Sequence, residues 1–234
     1  SGRHSESEYR RMWEQITGGR IWEGRFINKN KDGALFIDEC TISPMRDGKA
    51  TRAKISRAAL TLFVDKGVTD TTVRDIAAAA GVAEGTLYRH FASKDELAWE
   101  LFADNFAAFA DALDRCQARE TTLPDKAAAM VDHFCTFFDQ DPVLFSYLLL
   151  SQHDYLKRVS PGLPNPVDVV HQVIWRAMSE GELPRGDAAT TTAMVLGIVL
   201  QAAVFKIYGR ITTSLAAVSE TLIAGCLRVL KAAD

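Results

Sequence analysis

Three polar side chains that can bind nucleic-acid bases lie close together in the sequence, at Thr86, Arg89 and His90. An arginine guanidinium can donate two hydrogen bonds to guanine, and the methyl group of a threonine can contact thymine. The spacing of Leu87 and Phe91 places these apolar residues on the buried side of a short helix, so the polar residues point away from it. The segment therefore has the side chains and the exposed face needed to read DNA bases.

The elements around this helix are a preceding short helix, a glycine turn and the start of a third helix, within residues 72–97. An apolar stripe predicts the preceding helix: Val73, Ile76, Ala77 and Ala80. Gly81 follows where the chain needs a left-handed residue to end a helix and turn. Ser93 and Glu96 match a capping box at the start of the third helix. Two helices that cross through a tight turn, the second with exposed polar side chains, form a helix-turn-helix.

One more amphipathic helix is predicted before this pair, from a further apolar stripe: Ile55, Ala58, Ala59, Leu62 and Phe63. Gly67 is expected to end it. Thr71 or Thr72 then caps the next helix, and Asp75 takes the acid position of a capping box. The sequence thus predicts a three-helix domain.

In these residues the sequence resembles the TetR family of transcriptional regulators, from about residue 51 to residue 101, and the run GVAEGTLYRHFASKDEL carries the resemblance. It implies that Thr72, Tyr88 and Lys94 contact DNA phosphates. It also implies that the three base-reading residues named above lie in or beside the major groove. The alternative for Tyr88 is a core tyrosine with its hydroxyl at the surface. The alternative for His90 is a cover on the domain edge, and for Lys94 a solvated cap residue.

Two positions depart from the pattern of many family members. Glu84 occupies a position where a basic or neutral residue is common, and Ala83 lacks a hydroxyl often found at that corner. An acid repels phosphate but can accept a hydrogen bond from the amino group of cytosine, so Glu84 stays a candidate DNA contact. These departures affect the expected sequence preference and leave the expected fold unchanged.

The charge of the chain does not by itself indicate nucleic-acid binding, because the formal net charge is only −3. Residues 52–100 hold seven basic and seven acidic side chains. What matters is the charge on one face, so a basic face requires Arg57, Arg89 and Lys94 to lie together on one side. Composition neither establishes nor excludes such a face.

The first fifty residues differ from the rest. After a short helix, residues 22–27 and 34–42 predict two strands around the turn signal at residues 30–33, and residues 46–48 form a second turn signal. The pattern W-E-G-x-F-x-N-K-x-K-D-G followed by T-I-S-P-M-R-D-G resembles the later half of a PAS sensor domain.

Only this later half of a PAS domain is recognisable, which leaves a sheet edge and an apolar face without partners. We therefore expect the segment to dock on the rest of the protein, to pair across a dimer, or to be a remnant of a longer chain. Half a pocket encloses little, so no flavin or haem is expected. The segment is assigned a structural or regulatory role.

From about Asp95 to its end the chain is predicted to be helical, which makes the fold mainly α. Residues 193–207 are apolar almost all round, and the final helix has two apolar stripes: Leu215, Val218 and Leu222, and Ile223, Leu227 and Leu230. This is more apolar surface than one core covers, so a symmetric partner is expected. The resemblance implies the same homodimer, through a four-helix arrangement. Two recognition helices about 34 Å apart would then read a palindrome.

The resemblance also implies an effector pocket in this second domain. Eight residues are candidates to line it: Phe109, Phe134, Phe138, Phe145, Tyr147, His153, Trp175 and Met178. They suit an apolar or aromatic small molecule, with Tyr147 or His153 adding a polar contact. The alternative for each of them is core packing. No cofactor is expected.

The four cysteines show no metal-ligand spacing, so we expect no metal site and four buried free thiols in a reducing cytoplasm: Cys40, Cys116, Cys135 and Cys226. The N-terminus has no apolar signal segment. The most apolar run, residues 193–200, is judged too short to span a bilayer. The expected protein is soluble and cytoplasmic.

Two rival classes remain beside a ligand-responsive regulator. An enzyme would need converging catalytic groups, and residues 151–154, with the sequence SQHD, do not converge because neighbours along a helix point in different directions. No catalytic residues are therefore assigned. The second rival is a sensory or interaction protein in which the PAS-like segment dominates and DNA binding is weakened or lost.

The predicted organisation has three parts: residues 1–50 form the PAS-like segment, residues 51–97 the DNA-binding domain, and residues 98–234 the effector-binding and dimerisation domain. Ligand in the second domain is expected to bias the dimer toward a state with displaced heads, and the long helix beginning near Ser93 is expected to transmit this change. Repression is the expected output, with activation as the alternative.

Overall fold

The computed structural model describes residues 6–17, 21–29, 33–42, 48–155, 158–159 and 162–231. The chain divides into two compact units, Ser1–Lys54 and Ile55–Asp234. The first unit therefore ends four residues after the predicted end of the PAS-like segment. The predicted DNA-binding and effector domains lie together in the second unit.

The first unit contains helix α1 (Glu6–Thr17) and two strands, β1 (Trp22–Lys29) and β2 (Leu35–Ile42). The strands pair antiparallel, which confirms the predicted hairpin strands. Arg25 and Glu39 face each other across the pair and form an ion pair at 2.8 Å, a favourable cross-strand arrangement. The turn residues 30–32 and 46–47 lie outside the described residues. The resemblance to a PAS domain stays a prediction.

The second unit begins within the first helix of a three-helix head, at Ile55. Helix α2 (Gly48–Asp70) is interrupted at Gly67, whose φ of 83° and ψ of 160° are not helical. Helix α3 (Val73–Ala80) begins at Thr72 with the predicted capping box and ends at Gly81, whose φ of 65° is left-handed. Helix α4 (Glu84–His90) follows the turn. The predicted helix-turn-helix is confirmed in its order and its turn.

Six helices form the rest of this unit: α5 (Lys94–Gln117), α6 (Leu123–Gln140), α7 (Pro142–Tyr155), α8 (Pro166–Glu180), α9 (Ala188–Ile207) and α10 (Ser219–Lys231). A short 3-10 turn, Ala216–Val218, precedes α10. Helix α5 packs against α6, α7 and α8, while α10 packs against α6 and α9. Asp141 accepts a hydrogen bond from the amide of Leu144 at the start of α7, and Asn165 caps α8. Each of these two residues precedes a proline at the first position of its helix, a common way to begin a helix.

Two hydrophobic cores lie in this unit, and α7 contributes to both. One core joins the three head helices to α5 and to Tyr147, Leu148 and Tyr155 of α7. The other lies between α6, α8, α9 and α10 and includes Phe145 and Leu149 of α7. The head is therefore packed directly on the domain that follows it, and α7 belongs to both cores, as does α5 through Leu113 and Phe102.

Helix α9 is longer than its most apolar run suggested. It has 20 residues and a mean hydropathy of 1.8, so it is long and apolar enough to cross a membrane, and the expectation that it is too short is wrong. Val195, Val199 and Ala203 point into the second core, and one side of the helix is thus covered by α8 and α10. A core helix of a soluble protein has these same properties.

The cysteines are free thiols, and two of the four are buried. Burial raises the pKa of both Cys135 and Cys226 to about 11, so neither is a reactive thiolate at neutral pH. Cys40 and Cys116 are only half-buried, which corrects the expectation that all four would be buried. Among the described residues, no three metal-binding side chains form a cluster.

Candidate nucleic-acid interface and effector cavity

Helix α4 presents its polar side chains outward, as expected for a recognition helix. Leu87 is fully buried, whereas Arg89 is exposed and Thr86 is half-buried. Tyr88 is 55% exposed, which excludes the alternative of a core tyrosine. His90 is half-buried, with its ring centroid 6.5 Å from that of Phe91, so it covers the edge of the domain as well as facing outward.

The two helices of the helix-turn-helix, α3 and α4, differ in how their N-termini are capped. The hydroxyl of Thr72 accepts a hydrogen bond from the amide of Asp75 and stays at an exposed position. Ala83, at the start of α4, makes no side-chain cap. Exposed Glu84 lies in that first turn, where a carboxylate stabilises the positive end of a helix. Thus Glu84 supports α4 but adds negative charge beside the groove-facing residues.

Lys94 holds the end of α2 in place. Its Nζ donates hydrogen bonds to the carbonyl oxygens of Val68 (2.6 Å), Thr69 (3.1 Å) and Thr71 (2.8 Å). An ammonium has three protons, so all of them are used within the head. In this structure Lys94 cross-links α5 to the segment after Gly67, and its contact with phosphate stays a prediction.

Arg57 is engaged away from the recognition helix. One guanidinium nitrogen donates to both carboxylate oxygens of Asp141, at 2.8 and 2.7 Å. This ion pair connects α2 of the head to the junction between α6 and α7. Two of the three cations of the predicted basic face, Arg57 and Lys94, therefore bind within the protein, and the face itself stays a prediction.

The pKa of Asp141 reflects this ion pair. Partial burial of the carboxyl acts to raise the pKa, but hydrogen bonds from Arg57 and from the amides of Leu144 and Val143 outweigh it. The pKa of Asp141 is consequently held below its ordinary value of 3.8. Asp141 is thus ionised at neutral pH and serves two roles, as the cap of α7 and as the partner of Arg57.

Replacing Asp141 by asparagine is expected to lower the free energy of unfolding by about 0.5 kcal/mol at pH 7, because asparagine keeps the cap but loses the partly exposed ion pair. A depressed carboxyl pKa contributes stability above the ordinary value of 3.8. This contribution disappears as the pH falls through the folded pKa. Thermal unfolding of both proteins at pH 7 and pH 2.5 checks this. An equal difference at the two pH values would mean that the ion pair is not its source.

An apolar cavity of this unit lies within the second core. It has a volume of about 110 Å³. Its wall comprises residues of α5 to α10: Phe106, Phe109, Leu113, Leu123, Ala127, Met130, Val131, Phe134, Phe145, Leu148, Leu149, Gln152, Pro166, Val167, Val170, Val173, Ile174, Val195, Leu196, Val199, Leu200, Cys226 and Leu230. Three predicted residues, Phe109, Phe134 and Phe145, are brought together there. Phe134 and Phe145 meet edge to face with centroids 4.7 Å apart.

The other predicted effector residues lie elsewhere. Phe138 and Met178 are buried in the same core but do not line the cavity. Tyr147 points into the head core, where its hydroxyl donates to the carbonyl oxygen of Ala98 at 2.7 Å. Trp175 is 56% exposed on the outer side of α8. The side chain of His153 lies outside the described residues.

Two functional residues were not anticipated from the sequence. Among the described residues of the cavity wall, Gln152 has the one amide side chain, and it was considered only as part of a hypothetical catalytic run. Asp141 was not identified as the partner of Arg57. Gln152 is at helical spacing from Phe145, Leu148 and Leu149 and lies on the same face of α7, so its place in the cavity wall could have been predicted from the sequence. No local sequence pattern predicts that Asp141 pairs with Arg57.

Helix α9 also has an exposed apolar face, on the side away from the core. Met194 is 47% exposed and Phe205 is 46% exposed, with Gly197 and Gln201 between them. The spacing of three, four and four residues places these four positions in one stripe along the helix. This stripe, residues 194, 197, 201 and 205, is called the α9 face below.

Comparisons with known proteins support the helix-turn-helix prediction. Residues 55–101 match the family model of bacterial regulatory proteins, tetR family. The HTH-type transcriptional repressor KstR2 of Mycolicibacterium smegmatis is 45% identical over 53 residues, which cover 23% of this chain and 26% of that protein. The fatty acid metabolism regulator protein of Bacillus subtilis is 22% identical over 160 residues, covering 66% of this chain and 82% of that protein. The chain spans only 49% and 26% of the first two curated relatives it matches.

Solved structures share the fold well beyond the head. The fatty acid degradation regulator FadR of Bacillus halodurans has a TM-score of 0.67 at 19% identity and covers 77% of this chain and 94% of that protein. The FadR of Bacillus subtilis in complex with stearoyl-CoA has a TM-score of 0.61 at 19% identity, covering 76% and 97%. At 19% identity this similarity shows the fold alone, for the head and the helical domain together.

Proposed function

We propose that this chain, which belongs with the tetR family of bacterial regulatory proteins through residues 55–101, is a sequence-specific repressor that binds DNA as a homodimer and responds to an apolar small molecule. The observation that carries the proposal is the helix-turn-helix, with α4 exposing Arg89 and Tyr88 over buried Leu87. The protein acts in the cytoplasm on double-stranded DNA.

DNA reading relies on few side chains. Arg89 donates to a base edge in the major groove, with Thr86 and His90 beside it, while Thr72 and Tyr88 meet phosphates. Glu84 faces a cytosine amino group or keeps α4 away from phosphate. Because Arg57 and Lys94 are engaged within the protein, they add little to the electrostatic share of the affinity for DNA.

Dimerisation buries the α9 face against the same face of a second copy. Exposed apolar side chains at Met194 and Phe205 favour association, and Gly197 between them allows two helices to approach closely. A twofold arrangement uses one patch on both copies, which fits a single stripe of this kind. Covering the α9 face in a dimer, rather than in lipid, also accounts for the apolar composition of the helix.

The effector occupies the apolar cavity and changes its size. A dry cavity of 150 Å³ accepts benzene, and drug-sized ligands occupy several hundred Å³. The cavity of about 110 Å³ is therefore smaller than the ligand, so binding must move at least one wall. The B. subtilis FadR structure, which holds stearoyl-CoA, supports an apolar chain as the ligand of a similar fold.

Helix α7 transmits this movement to the head. Phe145, Leu148 and Leu149 form part of the cavity wall, while Tyr147 on the opposite side stacks on Phe63 of α2 with centroids 5.8 Å apart. The first residues of α7 are also tied to α2 by the ion pair between Asp141 and Arg57. A wall displaced by ligand therefore shifts α2, and operator affinity falls by as much as the ligand prefers the displaced state. In this proposal, α7 and α5 together transmit the movement of the cavity wall to the head.

Selection of bound sequences from a random DNA duplex pool tests the proposed function, with affinities then measured at controlled salt concentration. The expected product is a palindrome bound by two protomers. A folded dimer that enriches no sequence would contradict the proposal.

Replacing Arg89 by alanine is expected to weaken binding to the selected operator by about tenfold to a hundredfold, the value of one bidentate base contact. Binding to unrelated DNA should change little. Fluorescence anisotropy with operator and scrambled duplexes measures both affinities. Arg176→Ala is the matched control, since it removes an exposed arginine from α8, outside the head. Equal losses on both duplexes would identify Arg89 as a phosphate contact instead.

A second candidate is a sensory or interaction protein in which DNA binding has weakened. Exposed Glu84 on α4 and the internal pairing of Arg57 and Lys94 favour it, because they reduce the positive charge offered to phosphates. In that case the PAS-like segment would carry the function. The same duplex selection separates the two candidates.

A further inference from the structure

We infer that the part of the effector that enters the cavity is uncharged and apolar and carries one hydrogen-bonding group, and that Gln152 is the specificity-determining residue that binds this group. The inference rests on the proposed function, since it identifies the ligand class of the effector cavity. It follows from which polar atoms the cavity wall contains and from the partners of those atoms.

The cavity wall offers very little polar chemistry. Its described side chains are aliphatic or aromatic except for Gln152 and Cys226. The thiol of Cys226 is directed toward the carbonyl oxygen of Val195, at 3.9 Å, and is a weak donor in any case. Among the described lining residues, Gln152 is thus the one with a strong hydrogen-bonding side chain.

The side-chain amide of Gln152 can form hydrogen bonds with a ligand. In the part of the chain that the structure describes, the side chain of Gln152 makes no hydrogen bond, and it is half-buried on the cavity side of α7. A ligand that fills the cavity displaces water from the amide. A buried amide without a partner is unfavourable, so an effector that supplies a hydroxyl or carbonyl is bound more tightly than a pure hydrocarbon.

The same wall selects against charge. Among the described residues that line the cavity there is no lysine, arginine, histidine, aspartate or glutamate, so a carboxylate, phosphate or ammonium placed inside would have no ionic partner among them. Moving an unpaired ion into an apolar site is far less favourable than moving a neutral polar group. Alcohols, ketones and esters of apolar chains or rings therefore fit, and fatty acids in their ionised form do not.

Calorimetric titration of the purified protein with four eight-carbon probes tests the inference: 1-octanol, 2-octanone, octanoate and octylammonium. At pH 7 we expect 1-octanol and 2-octanone to bind, and the two ions to bind about a hundredfold more weakly or not at all. Gln152→Leu is expected to weaken 1-octanol binding by about fivefold, the value of one neutral hydrogen bond. Gln172→Leu, an exposed glutamine of α8 outside the cavity wall, is the matched control and should change nothing.

Gln152→Glu gives the complementary test, because it places one negative charge in the wall without changing its shape. This variant should bind octylammonium at least tenfold more tightly than the wild type does. Octanoate binding equal to 1-octanol, an unchanged affinity in Gln152→Leu, or no binding of any probe by folded wild type would each overturn the inference. Since no DNA is present in the titration, its failure is separable from a failure of duplex selection.

Discussion

Replacing Met194 and Phe205 together by aspartate is expected to convert the protein to monomers and to weaken operator binding by about a hundredfold or more. Both side chains lie on the α9 face and are nearly half exposed in the single chain, so the change does little to the fold of one protomer. In the proposed dimer each aspartate would be buried without a cation. Leaving such charges unpaired in an interface disfavours association by several kcal/mol.

The loss in DNA binding follows from the loss of tethering. A dimer bound at one half-site holds its second head at a high effective concentration over the other half-site, and a monomer has no such advantage. Light scattering coupled to gel filtration gives the oligomeric state, and anisotropy gives the operator affinity. The control is Trp175→Asp, which places the same charge on an exposed aromatic of α8. A variant that stays dimeric would show that the α9 face is not the interface.

Replacing Lys94 by methionine is expected to lower the free energy of unfolding by about 2 to 3 kcal/mol. The change keeps the apolar stem but removes the ammonium that binds the carbonyl oxygens of Val68, Thr69 and Thr71. Hydrogen bonds from a charged donor contribute more than neutral ones, and the carbonyls lose their donor at the end of α2. A loss of this size lowers the melting temperature by roughly 5 to 10 °C in a chain of this length.

Salt dependence distinguishes this structural role from a phosphate contact. If Lys94 bound phosphate, its removal would reduce the slope of log affinity against log salt by about one for each head. We expect the slope to be unchanged while the melting temperature falls. Lys126→Met, in α6 outside the head, is the control for loss of a lysine. A reduced slope with unchanged thermal stability would restore the phosphate role.

Local patterns in the sequence were sufficient to predict the helix caps and the turn of the head. Thr72 with Asp75, Gly81, and Ser93 with Glu96 act within a few residues of each other, so their spacing alone predicts the caps and the turn. The partners of Arg57 and Lys94 were not predictable in this way. Asp141 lies 84 residues from Arg57, and nothing in the sequence specifies that an ammonium will choose backbone carbonyls over phosphate.

The cavity shows the same limit in the second domain. Aromatic residues on α5 to α8 were expected to line a pocket, yet a residue reaches the cavity only if its helix is rotated suitably. Phe134 lines the cavity and Phe138, one turn later, does not. Tyr147 and Phe145, two residues apart on α7, point into different cores. Helix rotation depends on packing over the whole domain, which a stripe of apolar residues does not define.

Effector binding in the cavity also has a consequence for how much of the protein a cell contains. A ligand that binds only the native state raises the free energy of unfolding, by an amount that grows with its concentration relative to its Kd. Cellular proteases act on the unfolded fraction, and that fraction falls as stability rises. The effector would therefore lengthen the lifetime of the regulator while it weakens DNA binding. Molecules released from DNA would accumulate, and they would bind DNA again once the effector is consumed.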